Sequence, residues 1–244
     1  IRFAPAFAPM RDVRPGRGAS FRVTDQASKS TGKSALRSPR SRARLLHTFL
    51  HHELQAAELM AWAILAFPSA PEALRRGLLG VLLDEVRHMN LYAGILEERG
   101  FSVGSFEVRD WFWERVPTAE SVTAFLATVG LGLEGANLDH AASFAARFRA
   151  AGDDRAADLQ ERIGREEIPH VRFALRWFLA LSEDVRAGMP LFDAFARSLP
   201  PPLSPMLMRG RTISRAARAR AGLDPPFLDR LDQVRPWPKS ASGS

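Results

Sequence analysis

Residues 78–95 read LLGVLLDEVRHMNLYAGI, and the order of apolar and ionisable positions in this stretch decides the fold. Leu78, Glu85 and Tyr92 recur every seven residues, interleaved with Val81, His88 and Ile95, so all six line one stripe of an α-helix. Glu85 and His88 therefore face inward together, one turn apart. A carboxylate and an imidazole on a core stripe need a reason, because an unneutralised buried ion costs several kcal/mol or more.

Reading outward, this helix starts near Pro71, a good first-turn residue, and ends at Gly100. A preceding helix is expected over 41–67, stopped by Pro68. A linker over 101–117 holds Trp111, Trp113 and Pro117. A third helix comes next over about 118–151, ended by Gly152, and a fourth over about 153–184, opened by Asp153 and Asp154. A shorter helix is expected near 190–198, and one or two basic helical pieces after the Pro200–Pro201–Pro202 run. Residues 1–40 are broken by Pro5, Pro9, Pro15, Gly16, Gly18, Gly32 and Pro39 and read as irregular. The expectation is an all-α fold: a four-helix bundle over 41–184 with one long crossover at 101–117. It carries an irregular basic N-terminal arm (1–40), and short helices with a basic tail (185–244).

The other three helices repeat the anomaly. The fourth aligns Gln160, Glu167, Ala174 and Leu181 with Ile163, His170 and Trp177, giving a second inward Glu-x-x-His, at Glu167 and His170. The first aligns Leu46, Glu53, Met60 and Phe67; the third aligns Ala127, Glu134, Ala141 and Phe148. Glu53 precedes Glu85 by 32 residues and Glu134 precedes Glu167 by 33, the length of one helix, a turn and a return. Four carboxylates and two imidazoles gathered this way match the ligand set of a two-metal carboxylate bundle. With no cysteine in the chain, thiolate sites are excluded, and oxygen and nitrogen donors suit iron or manganese.

The net charge of +7 is unevenly spread. Residues 45–200 hold 15 basic and 22 acidic residues, whereas the flanks hold 19 basic and 5 acidic. An acidic core with basic tails keeps a nucleic-acid partner open without favouring it. No apolar run reaches the roughly 18 to 20 residues that span a bilayer, and the arm lacks the apolar core of a secretory signal, so a cytoplasmic place is the default expectation.

Asp84-Glu85-Val86-Arg87-His88 resembles the DExRH motif of bacterial multicomponent monooxygenases and some bacterioferritins, and Glu53-Leu54-Gln55-Ala56 resembles the first-helix region of rubrerythrin-like proteins. Residues 41–184 as a whole are similar to the ferritin-like superfamily, closest to a bacterial family of unassigned function. The resemblance implies Glu53, Glu85, His88, Glu134, Glu167 and His170 as ligands of two iron or manganese ions, with Asp84 and Arg87 orienting the imidazoles. Two departures stand out: Pro169 sits inside the second Glu-x-x-His and should kink its helix, and Asn137 stands where related sites supply a further carboxylate.

The function expected is an oxidoreductase that uses dioxygen and an electron donor to oxidise or hydroxylate a small organic substrate, with a homo-oligomer left open. The alternatives are a ferroxidase or iron-handling protein, a tRNA-modifying hydroxylase, and a helical scaffold whose polar seam only fixes register. Glu58, five residues past Glu53, is expected in a surface salt bridge. His47, His51 and His52 are expected in polar-face or capping roles and not as ligands, and His140 on the side of its helix away from Glu134. Gly130, Gly132 and Gly135 around Glu134 suit either a pocket or close helix packing.

Overall fold

The computed structural model describes residues 7–18, 21–25 and 36–235. The described residues are helical with no β-strand; one isolated bridge pairs Val23 with Val108. The fold is all-α, as the stripes predict, with α1 at Pro39–Ala66, α2 at Glu72–Glu98, α3 at Val122–Phe125, α4 at Gly135–Ala150 and α5 at Asp154–Leu181. Short helices come after these: α6 at Glu183–Arg186, α7 at Leu191–Ser198, α8 at Arg215–Arg220 and α9 at Pro225–Gln233. The third helix departs from expectation. Between α3 and α4, Leu126–Glu134 is π-helical, so the segment predicted as one regular helix changes its winding ahead of Glu134. No helix among the described residues is long and apolar enough to cross a membrane.

The chain gathers into two compact units. The first takes the described residues up to Pro117 with Ala145–Leu159; the second takes Thr118–Phe144 with the described residues from Gln160 onward.

In the first unit α1 and α2 form an antiparallel hairpin. Ser38 caps α1 in a reciprocal box with Ser41, and Pro39 opens the helix without losing a needed N–H. Leu46, Met60, Leu78, Tyr92 and Ile95 are buried. The 101–117 segment runs lengthwise beside α1, the behaviour expected of a crossover. Gly104 N–H donates to His47 Nε2 at 2.9 Å, and Phe112 N–H donates to Gln55 Oε1 at 3.2 Å. Further along, Trp113 Nε1–H donates to Glu58 at 2.8 Å. From His47 to Glu58 this covers about 16 Å at 1.5 Å per residue.

The N-terminal arm lies along the same helix. Met10 N–H donates to Leu65 O, and Trp62 Nε1–H donates to Arg11 O at 2.9 Å. Arg17 donates through Nε and Nη2 to Glu58 at 2.7 and 2.6 Å, and through Nη1 to Asp110 at 2.5 Å. Glu58 is thus in a salt bridge, as predicted, but a largely buried one that ties the arm to α1. The histidines correct the polar-face expectation: His47 and His51 are buried. Gln55 fixes His51, because its Oε1 accepts from backbone N–H groups and its Nε2 must then donate to His51 Nδ1 at 3.1 Å. That leaves the His51 Nε2–H for Asp110 Oδ1 at 3.3 Å.

His47 makes a testable pH prediction. Its Nε2 accepts from Gly104, so the neutral ring is the one that fits, and Phe21 and Phe106 flank it. Burial, with His51 nearby, lowers its pKa from 6.5 to about 4. A depressed imidazole takes its proton first in the unfolded chain. The stability it contributes is full above pH 6.5 and is lost as pH falls towards 4, on the order of 2 kcal/mol. Urea unfolding at pH 7 and pH 4.5 should show this loss in the wild type and a shallower one in His47→Gln; parallel slopes would refute it.

In the second unit the C-terminal helices pack onto α4 and α5. Gly130 touches Ala174 on α5, Gly132 touches Met208, and Gly135 touches Arg218, so close packing and not an open pocket explains the three glycines. A Cβ on Gly130 would lie 2.1 Å from the Ala174 Cβ. α5 runs unbroken through Pro169, whose ring is exposed, so the lost hydrogen bond falls on the solvent side of the helix.

Candidate metal centre

Each unit presents one group of two glutamates and a histidine in its interior. In the first, Glu53 comes from α1, and Glu85 and His88 come from successive turns of α2. Glu85 and His88 are 0% exposed and Glu53 5%. His88 Nδ1 lies 3.4 Å from Glu85 Oε2 and 3.9 Å from Glu53 Oε2. The i, i+3 spacing turns the imidazole back over the preceding turn, towards the carboxylate of its own helix.

In the second unit Glu134 closes the π-helical segment, and Glu167 and His170 lie on α5. Glu167 is 0% exposed, Glu134 and His170 5%. His170 Nδ1 sits 2.9 Å from Glu167 Oε2, while Asn137 Nδ2 donates to Glu167 Oε1 at 3.3 Å. Asn137, which stands where related sites supply a further carboxylate, thus holds one oxygen of Glu167 and leaves the other facing the imidazole.

Within each group the ligand atoms of all three residues lie within 4.8 Å of one another, a spread that a single ion can close. Two carboxylates and one imidazole per group form a hard oxygen-rich donor set with one nitrogen, which fits iron or manganese and lacks the thiolates of a closed structural zinc site. The six residues singled out by their spacing are therefore gathered three and three. Asp84 and Arg87 stand on α2 beside these residues, paired at 3.0 Å and partly exposed. His140 is exposed, and Tyr92 packs in the core against Phe49 with ring centroids 5.8 Å apart. A cavity of about 390 Å³ between the arm and α1 is lined by Leu54, Trp62, Leu65 and Trp113 among others, and by none of the ligand candidates.

Sequence reasoning missed the basic residues that fold inward. Arg209 donates to the carbonyls of Leu231, Asp232 and Val234 at 2.7 to 2.8 Å, and Arg218 pairs with Asp139 at 2.8 Å with both side chains fully buried. Asp139, five residues past Glu134, carried the only available signal, an acid among the apolar residues of α4.

Comparison with known proteins covers nearly the whole of this architecture. A family described as "Protein of unknown function (DUF455)" matches residues 3–229. The chain belongs to this family. Its match takes in both Glu/Glu/His groups, the arm and most of the C-terminal helices. A protein of Haemophilus influenzae named "Uncharacterized protein" is 28% identical over 222 residues, covering 88% of this chain and 76% of that one. No solved structure matches the chain.

Proposed function

We propose that the protein is an oxidoreductase that holds one iron ion in each Glu/Glu/His group and uses the pair to oxidise or hydroxylate a small organic substrate with dioxygen. The observation that carries this reading is the repetition: two glutamates and one histidine, all buried, with the histidine Nδ1 turned to the carboxylate three residues before it, occur once in each unit. Nothing in helix packing requires that arrangement twice. The resemblance of residues 41–184 to ferritin-like proteins supports the same reading.

Iron, once bound there, would supply the electron-transfer chemistry that reduction of dioxygen needs. Hydroxylation balances as O₂ plus substrate plus two electrons and two protons giving the alcohol and water, so a two-electron reductant is a required partner. The chain's own residues have separate tasks. Glu53 and Glu85 would hold the first ion with His88; Glu134 and Glu167 would hold the second with His170. Asn137 fixes the rotamer of Glu167 through Oε1, and Asp84 with Arg87 is assigned to orienting the imidazoles. Burial excludes bulk water from the carboxylates and strengthens their hold on a cation.

A small-molecule substrate is preferred to RNA because part of the positive charge is spent internally: Arg17 on Glu58 and Asp110, Arg209 on backbone carbonyls, Arg218 on Asp139. Manganese fits the same donors, and the metal content decides between them. Protein purified without oxygen should carry about two iron or manganese ions per chain. Glu85→Ala and Glu167→Ala should each lose at least one. A wild type that holds no metal and takes up none on reconstitution would rule the reading out.

A further inference from the structure

We propose that the Asp139–Arg218 pair is a clamp that sets the register of Glu134, which makes Arg218 a positioning residue for the metal group of the second unit; this rests on the metal reading above. Glu134 is the last residue of the π-helical segment and Gly135 the first of α4. π-Helical turns inside α-helices are uncommon, and they re-aim the side chains beyond them. Re-winding the π-helical segment as α, a one-residue change of register, would rotate Glu134 by about 100° about the helix axis relative to the residues before it and take its carboxylate away from Glu167 and His170. Something has to hold that junction in place.

The segment from Met208 to Arg218 grips the helix at three points of one face. Met208 Sδ lies 2.6 Å from where a Cβ on Gly132 would be, and Arg218 Nη1 lies 2.9 Å from the same position on Gly135. Asp139 is the third point, and its carboxylate is saturated. Oδ2 accepts from Gly210 N–H at 2.9 Å and Arg218 Nη2 at 2.8 Å; Oδ1 accepts from Ser214 N–H at 2.7 Å and Arg218 Nε at 3.0 Å. Arg218 Nη2 also reaches Met208 O at 3.2 Å, closing the segment on itself. Positions 132, 135 and 139 recur at helical spacing and bracket Glu134. Arg218 Nη1 has no hydrogen-bond partner among the described residues. A fully buried guanidinium that leaves one nitrogen against a glycine backbone is kept there by position, and only a residue without a side chain at 135 admits it.

The helix is thus an element with two available windings, and the clamp selects the one that presents Glu134. Arginine suits the task because its fork meets both carboxylate oxygens at once, which lysine cannot do.

Cobalt(II) serves as the probe, read by its visible absorption, in wild type, Arg218→Lys, Asp139→Asn, Glu134→Ala and the Arg218→Lys/Glu134→Ala double variant. Amide exchange over 126–139 is measured in the metal-free proteins. Arg218→Lys should weaken the uptake of one of two cobalt ions about 10- to 100-fold and change its spectrum. The double variant should be no worse than Glu134→Ala alone, and exchange should quicken over 126–135 while α1 and α2 keep their protection. Asp139→Asn, the milder change, gives the same pattern should Arg218→Lys fail to fold. Wild-type cobalt affinity and spectrum in both variants, or exchange that quickens throughout the chain, would overturn the clamp. A wild type that takes no cobalt defeats the metal reading, and the exchange pattern alone then decides whether the clamp sets the helix winding.

Discussion

Chelation should lower the melting temperature of the metal-loaded protein by about 10 °C for each ion removed, and Glu85→Gln should abolish the share that belongs to the first group. The reason lies in the charges that the two groups gather. Each brings two carboxylates to within 4.8 Å of each other in the interior, at 0 to 5% exposure. Like charges at that separation in a medium of low polarity oppose folding, and the gathering is repaid only when a cation neutralises it. An ion present at 1,000 times its dissociation constant stabilises the folded state by about 4 kcal/mol. For a chain of this size each kcal/mol moves the melting temperature by roughly 2 to 4 °C. Glu85→Gln keeps the shape and removes one charge, so it should melt higher than the wild type when both are metal-free, and lower when both are loaded. That inversion is the diagnostic result. A scaffold whose polar seam merely fixed helix register would melt at one temperature with or without chelator, and the substitution would shift both states alike.

Much of this is legible in the sequence. The stripes of α1, α2 and α5 are buried where the heptad spacing places them, from Leu46 and Met60 to Ile163 and Ala174. The six ligand candidates are legible for the same reason: on a helix, spacing is direction, so an acid on the core stripe declares itself. Leu181 and Trp177, at the far end of the fourth stripe, are only partly buried.

The features that escape the sequence have no periodicity to read. The π-helical winding of Leu126–Glu134 depends on what packs against it, and the glycines that permit that packing have the same composition whether they line a pocket or a contact. Arginine is rarely buried without a partner, so those of the flanks read as surface charge. Their partners, Glu58 and Asp110 for Arg17 and Asp139 for Arg218, lie 41, 93 and 79 residues away. No local pattern links residues at such distances. His47 and His51 mislead in the same way, since their partners Gly104 and Asp110 belong to the crossover.

Gly130→Ala should be among the most damaging single-methyl changes in the chain, and Ala174→Gly should rescue it. The added Cβ would lie 2.1 Å from the Ala174 Cβ, far inside van der Waals contact, and both positions are buried, with Gly130 on the π-helical segment and Ala174 on α5. Neither atom is the end of a flexible side chain, so relief requires backbone movement of one helix against the other. Overpacking of this kind costs about 1 to 3 kcal/mol and occasionally more, and the rigidity of the contact puts this case at about 3 kcal/mol or above. Ala174→Gly alone costs about 1 kcal/mol, through helix propensity. If the contact is the cause, the double variant recovers most of the loss, and the coupling energy from the four proteins reaches about 2 kcal/mol. Urea unfolding of wild type, both single variants and the double gives that number directly. Simple additivity would mean that the two helices do not meet at Gly130, and that the glycine serves the winding of the π-helical segment instead. Either result bears on Glu134, because it lies one turn beyond Gly130 and moves with whatever that contact holds.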